Sequence, residues 1–158
     1  MTKKSVQIIF AAILFAGVLS EVLPNTCEAA GQRRQSYGSW SYNSGTSYYY
    51  TSYYYKPVVT YPTYNHHYCI YYPTQPRYVY YYNPVRKVYW GRYDIEEKGY
   101  SLLADKDRKE KLDDIPEKAF PKPGKMPVIP EAEDDVQMLP VDIKTLPKTE
   151  TPEALPAK

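Results

Sequence analysis

His66-His67-Tyr68-Cys69 is the densest grouping of soft metal ligands in the chain. In an extended strand alternate side chains share a face, so His67 and Cys69 would face one way and His66 the other. Two such ligands suit zinc or copper, but a closed site needs a third and fourth donor. The surrounding stretch has no Asp or Glu from Gly31 to Tyr93. No metal is therefore expected, and His67 and Cys69 stand only as its candidates. A second chemistry belongs to Thr46-Ser-Tyr-Tyr-Tyr-Thr-Ser-Tyr-Tyr-Tyr55, where six phenols occupy eight positions. Tyr48, Tyr49, Tyr50, Tyr53, Tyr54 and Tyr55 could stack, donate hydrogen bonds and, where an oxidant is supplied, couple ring to ring at high local concentration. The carboxylate pairs Glu96/Glu97 and Asp113/Asp114 have no evident pocket to shift their protonation, so they read as a solvated charged face. There is no Gly-rich phosphate loop, HExxH, GxSxG or paired CxxC. Leu146-Pro-Lys-Thr-Glu150 approaches a wall-sorting signal but lacks its final Gly and the apolar stretch that follows it. No enzyme and no cofactor are expected.

The elements around these residues begin with an export signal. Lys3 and Lys4 precede an apolar run, Val6–Leu19, and Cys27-Glu-Ala-Ala supplies a small-residue cleavage site between Ala29 and Ala30. The run is shorter than the ~20 residues that span a bilayer, so residues 1–29 are expected to be removed, with no stable membrane span after cleavage. The protein is then secreted, periplasmic or held in the cell envelope. Nucleic acid is a poor partner for an exported chain, and Cys69 would be the one cysteine remaining.

Composition divides the rest. All 20 tyrosines lie between Tyr37 and Tyr100. A basic, aromatic stretch precedes an acidic one that carries nine of the 15 prolines after Ile115. Beyond Ala29, Leu, Ile, Val and Phe fill only 20 of 129 positions, too few for a sizeable aliphatic core. The expected fold is therefore mostly disordered and low-complexity: a basic Tyr/Ser-rich region over 30–77, a small β-rich module over 78–116, and a Pro-rich acidic disordered tail over 117–158. Pro57, Pro62, Pro73 and Pro76 argue against one long ladder in the tyrosine region.

The module is expected to be a three-stranded antiparallel meander at about 78–103. Tyr78–Tyr82 and Val88–Asp94 flank the turn Asn83-Pro-Val-Arg-Lys87, and Glu96-Glu-Lys-Gly99 turns into Tyr100–Leu103. The spacing predicts a short helix between Lys106 and Ile115, then an extended polyproline-like tail after Pro116. Tyr80-Tyr-Tyr-Asn-Pro-Val-Arg-Lys-Val-Tyr-Trp90 resembles the middle hairpin of WW domains. That resemblance implies a proline-binding groove at Tyr81 or Tyr82 and Trp90, although the turn is one residue short and the flanking Trp and Pro of that family are missing. Taken together, the export signal, the tyrosine region, Trp90-Gly-Arg-Tyr-Asp94 and the Ile115-Pro-Glu-Lys-Ala-Phe-Pro segment resemble an uncharacterised family of exported tyrosine-rich bacterial proteins of planctomycete type, which implies no known activity. Two functions follow. One is a structural or envelope-matrix protein that self-associates and cross-links through tyrosine. The other is an aromatic binding module for proline-rich segments or envelope polymers, with Tyr80, Tyr82, Trp90 and Arg92 as its stacking residues.

Overall fold

The computed structural model describes residues 34–148. The expected export segment, its Ala29/Ala30 cleavage point and residues 149–158 lie outside the described residues. Seven strands form one antiparallel sheet curved into a half-barrel: β1 Gln35–Tyr37, β2 Ser41–Asn43, β3 Tyr48–Tyr55, β4 Asn65–Tyr71, β5 Tyr78–Asn83, β6 Val88–Asp94 and β7 Gly99–Leu102. From β3 to β7 each strand pairs with its neighbour in sequence. β1 and β2 share β3 as partner, Gln35 lying opposite Tyr55 and Ser41 opposite Tyr50, with Gly38–Trp40 the irregular step between them.

This corrects the expectation of a disordered chain holding a three-stranded meander. The tyrosine-rich stretch is not loose: Tyr49–Tyr55 pairs residue by residue with Asn65–Tyr71. The prolines thought to break that ladder sit between strands, Pro57 and Pro62 in the β3–β4 connection and Pro73 and Pro76 in the β4–β5 connection. There they cost no sheet hydrogen bond. The shortage of aliphatic residues is met by tyrosine itself. Tyr53 and Tyr81 are fully buried, and Tyr55, Tyr71, Tyr80, Tyr89, Tyr93 and Tyr100 nearly so. A phenol can serve as core where its oxygen finds a partner. Tyr53 donates to Gln35 Oε1 at 2.8 Å and Tyr37 to the Leu139 carbonyl at 2.7 Å.

Three hairpin turns share one construction. Asn43, Asn83 and Asp94 each end a strand and accept backbone N–H groups of the following loop at 2.9–3.0 Å. Four residues after each of them lies a residue with positive φ, namely Ser47, Lys87 and Lys98 at 54°, 53° and 51°. An Asx acceptor opening the loop and a left-handed residue closing it fix the register of β2–β3, β5–β6 and β6–β7.

Both faces of the sheet are covered by irregular chain. A first strap, residues 103–120, packs Leu103, Leu112, Ile115, Ala119 and Phe120 on Ile70, Tyr80 and Tyr89. The helix expected between Lys106 and Ile115 is replaced by two short 3-10 turns, Asp105–Asp107 and Leu112–Asp114. The reason lies in where the backbone bonds go: the Lys109 carbonyl accepts from Tyr89 N at 2.8 Å, which ties the strap to the sheet instead of to its own next turn. Only Leu112 and Ile115 offer it apolar anchors, too few for an amphipathic helix.

The chain then rounds the β7 edge. Gly124 exchanges two backbone hydrogen bonds with Tyr100, at 2.8 and 2.9 Å. The crossing is close enough that a Cβ on Gly99 would lie 2.8 Å from Pro123. The second strap, 126–146, buries Ile129, Met138 and Val141 against Tyr53, Tyr55, Tyr71, Tyr81 and Trp90 on the opposite face. It reaches β1, where Gln35 donates to the Gln137 carbonyl at 3.0 Å and accepts from Leu139 N at 2.8 Å, and Arg34 pairs with Asp134. Among the described residues no helix is long and apolar enough to cross a membrane.

Candidate functional site

The four expected stacking residues do not share a platform. β5 and β6 run in register from Tyr78/Asp94 to Tyr81/Gly91, and then Tyr82 lies opposite Tyr89, leaving Trp90 as an extra residue. A bulge of this kind reverses the alternation beyond it. Tyr80, Tyr82 and Arg92 therefore face the first strap, while Trp90 turns to the second-strap face and packs on Tyr81, Tyr100 and His67 at centroid distances of 5.6, 5.5 and 5.3 Å. The hairpin that resembles a WW domain does form, but Tyr81 and Trp90 are buried under the second strap and Tyr82 is on the other side. Arg92 is itself structural. Its guanidinium is sandwiched between the rings of Tyr78 and Phe120, at 3.8 and 4.0 Å, and donates to Glu117 Oε2 at 2.7 Å.

His67 and Cys69 do face the same way, as their spacing requires, but into an aromatic core. Cys69 is fully buried, and burial pushes its thiol well above the ordinary value despite a hydrogen bond with Tyr81. His67 Nε2 lies 3.3 Å from the Tyr55 hydroxyl. Burial, and to a smaller degree His66, lowers its pKa to about 4. Among the described residues no three His, Cys, Asp or Glu side chains gather as a metal site. Of the six cross-link candidates, Tyr53 and Tyr55 are buried, Tyr48, Tyr49 and Tyr50 are half-buried, and Tyr54 is exposed.

What the fold leaves open is a cleft on the first-strap face. The first strap reaches Ile70 on β4 and leaves part of β3 and β4 uncovered. The uncovered part is a cleft of about 480 Å³ lined by Tyr48, Tyr50, Tyr68, Tyr82 and Tyr89, with Ile70, Asn43 and Glu110. Its rings meet mostly edge to face, Tyr50 on Tyr68 at 6.1 Å and Tyr82 on Tyr89 at 5.0 Å, a favoured packing for aromatic quadrupoles. Burial, then Glu110, raises the Tyr82 phenol above its ordinary value, and burial with the Tyr72 hydroxyl does the same for Tyr89. Both remain neutral hydrogen-bond donors at physiological pH. The cleft has one carboxylate and no cation, so it does not suit an acidic polymer. Of its lining, Tyr48, Tyr50 and Tyr82 were among the sequence candidates. Tyr68, Ile70, Tyr89, Asn43 and Glu110 were not. The period-two alternation of β3 and β4 contains the signal for Tyr68 and Ile70, since they lie opposite Ser52 and Tyr50. For Glu110, which arrives on the strap, the sequence carries none.

The chain matches no protein-family model, no curated protein and no solved structure.

Proposed function

We propose that this is an exported, non-enzymatic binding module of the cell envelope, which lays an extended, neutral, proline-rich segment into the phenolic cleft. The observation that supports it most is the make-up of this cleft: five tyrosines line it, while Tyr53, Tyr55, Tyr81 and Tyr100 lie buried under the second strap. Such a surface holds ring-shaped, weakly polar ligands by stacking, and its hydroxyls donate to exposed carbonyls. A polyproline II segment offers both, and it loses little conformational entropy on binding. Asn43 and Glu110 add polar groups at the margin that could set direction.

The test is titration of the protein with a polyproline peptide by calorimetry and by amide chemical shifts, beside a neutral oligosaccharide of similar length. Saturable shifts at Tyr48, Tyr50 and Tyr68, abolished in a Tyr50→Ala/Tyr68→Ala variant and kept in Tyr42→Ala, support the module. Preference for the oligosaccharide moves the reading to an envelope glycan. Absence of binding by both overturns it.

The matrix reading keeps one specific support: Tyr42, Tyr54, Tyr61 and Tyr64 are 43, 40, 45 and 48% exposed. Coupling between molecules would run through these four instead of the buried phenols. Dityrosine mapped to Tyr54 or Tyr61 in protein taken from its own envelope would favour it.

A further inference from the structure

A second cleft, independent of the phenolic one and on the opposite face, lies between the end of the β5–β6 hairpin and the second strap. Its volume is about 530 Å³, and its lining includes His67, Trp90, Ile129, Arg86, Arg108 and Glu131. This size falls within the range of small-molecule sites.

Two features give it a chemistry. Its accessible wall is apolar: Leu102 and Val128 are 43 and 39% exposed and line it beside Trp90, which is 7% exposed. In addition, two guanidinium groups belong to the lining. Arg108 is fixed, donating to the Leu103 carbonyl at 3.2 Å and pairing with Asp105 at 2.6 Å. Arg86 sits at the exposed end of the hairpin, and its guanidinium makes no hydrogen bond or ion pair among the described residues. Against these stands Glu131, held in a turn at φ 63° and bonded to Asn65 Nδ2 at 3.4 Å.

We propose that this cleft binds a small organic carboxylate: its apolar body lies on Leu102 and Val128 beside Trp90, and its carboxylate is taken by Arg86 with Arg108 behind it. A guanidinium with nothing else bound to it is suited to a carboxylate, which it can hold through two parallel hydrogen bonds. Glu131 disfavours dianions and restricts the site to a single negative charge.

Benzoate, benzyl alcohol and benzylamine are a matched set of probes for charge. Each is titrated into the full chain while the two indole N–H resonances are followed. Trp40 donates to Thr145 Oγ1 at 3.3 Å, away from this cleft, and serves as internal reference. Benzoate is expected to shift the Trp90 indole saturably and leave Trp40 still, with the alcohol and the amine binding about ten-fold more weakly or worse. Arg86→Gln, at an exposed position that the fold does not depend on, is expected to weaken benzoate by about ten-fold, and Glu131→Gln to tighten it. A Trp90 resonance unmoved by benzoate, equal binding of all three probes, or unchanged affinity in Arg86→Gln would each overturn the proposal.

Discussion

The two faces of the sheet are built from the same residue type and finished differently. On the second-strap face, phenols are core. Tyr53, Tyr55, Tyr81 and Tyr100 pack with Trp90 under Ile129, Met138 and Val141, and the strap and β1 bring acceptors to several of the oxygens. On the first-strap face the cover ends early, and Tyr48, Tyr50 and Tyr68 meet edge to face and stay only partly buried. The contrast teaches that tyrosine content alone does not decide between core and surface. What decides is whether another segment arrives to exclude water, which it does even over the Tyr100 hydroxyl, buried without a hydrogen-bond partner among the described residues. In this chain that segment can lie far along the sequence, as with Leu139, 102 residues beyond the Tyr37 whose hydroxyl hydrogen its carbonyl accepts.

The largest expected effect separates the faces directly. Tyr81→Ala removes a fully buried ring that touches Trp90 and Tyr100 and should cost about 3–5 kcal/mol in denaturant unfolding. Tyr50→Ala, at the open cleft, should cost roughly 1 kcal/mol or less. Equal losses would show that the open cleft is as much core as the closed face, and the comparison would fail.

Acid should also act on the closed face first. His67 has an ordinary value of 6.5 lowered to about 4 in the fold, chiefly by burial. Between those values the unfolded chain binds the proton and the folded chain does not, so stability is fully present above about pH 6.5 and falls as pH drops toward 4. The loss is on the order of 3 kcal/mol. His67→Phe should flatten that part of a stability-against-pH curve. A second fall should follow at lower pH. Glu117 and Asp134 are held below their ordinary range by hydrogen bonds from Arg92 and Arg34, and Asp94 is also held low, because Arg77 and the Glu96 and Glu97 amides outweigh the upward push of burial. A wild-type curve flat from pH 7 to pH 4 would place His67 in water.

Part of this was legible beforehand and part was not. The β5–β6 and β6–β7 hairpins follow from Asn83-Pro84 and from Glu96–Gly99, and the strands about Tyr78–Asn83, Val88–Asp94 and Gly99–Leu102 lie where aromatic and β-branched runs predict. The same Asx signal stands at Asn43, but among Ser, Gly and Thr it is easily taken for low complexity. β3 and β4 were missed because a run such as Tyr-Tyr-Tyr has no hydrophobic alternation to read: both faces are the same residue, and the register comes from the turns instead. The platform at Tyr80, Tyr82, Trp90 and Arg92 failed through one bulge, which a strict period of two cannot foresee. The straps were unreadable because their order comes from docking on rings brought together by the sheet, not from local propensity.

A smaller effect probes how tightly the closed face is packed around that bulge. Gly91 lies beneath Tyr100, and a Cβ there would stand 2.3 Å from its hydroxyl oxygen and 2.5–2.6 Å from ring carbons. Tyr100 is 3% exposed and has little room to retreat. Gly91→Ala should therefore destabilise by about 1–3 kcal/mol through overpacking, although alanine is otherwise at no disadvantage to glycine in a strand. Thermal unfolding of the variant measures it. A neutral or stabilising result would mean that the Tyr100 ring moves freely, and that the closed face is looser than its burial indicates.

The smallest effect should leave the difference between faces untouched. Lys98 closes the β6–β7 hairpin at φ 51° and is exposed. A left-handed backbone costs a side-chain-bearing residue about 1 kcal/mol that glycine does not incur, while glycine makes the unfolded chain more flexible and returns part of that gain. Lys98→Gly should thus raise stability by a few tenths to ~1 kcal/mol. The hairpin joins β6 to β7, which contribute side chains to both faces, so amide protection should rise for Tyr100 on one face and Ser101 on the other in similar measure. The phenolic cleft, formed away from this turn, should keep its affinity for polyproline unchanged. A rise confined to one face would show that the two covers open independently. Lost stability would mean that the Lys98 side chain contributes more to the loop than its backbone strain costs.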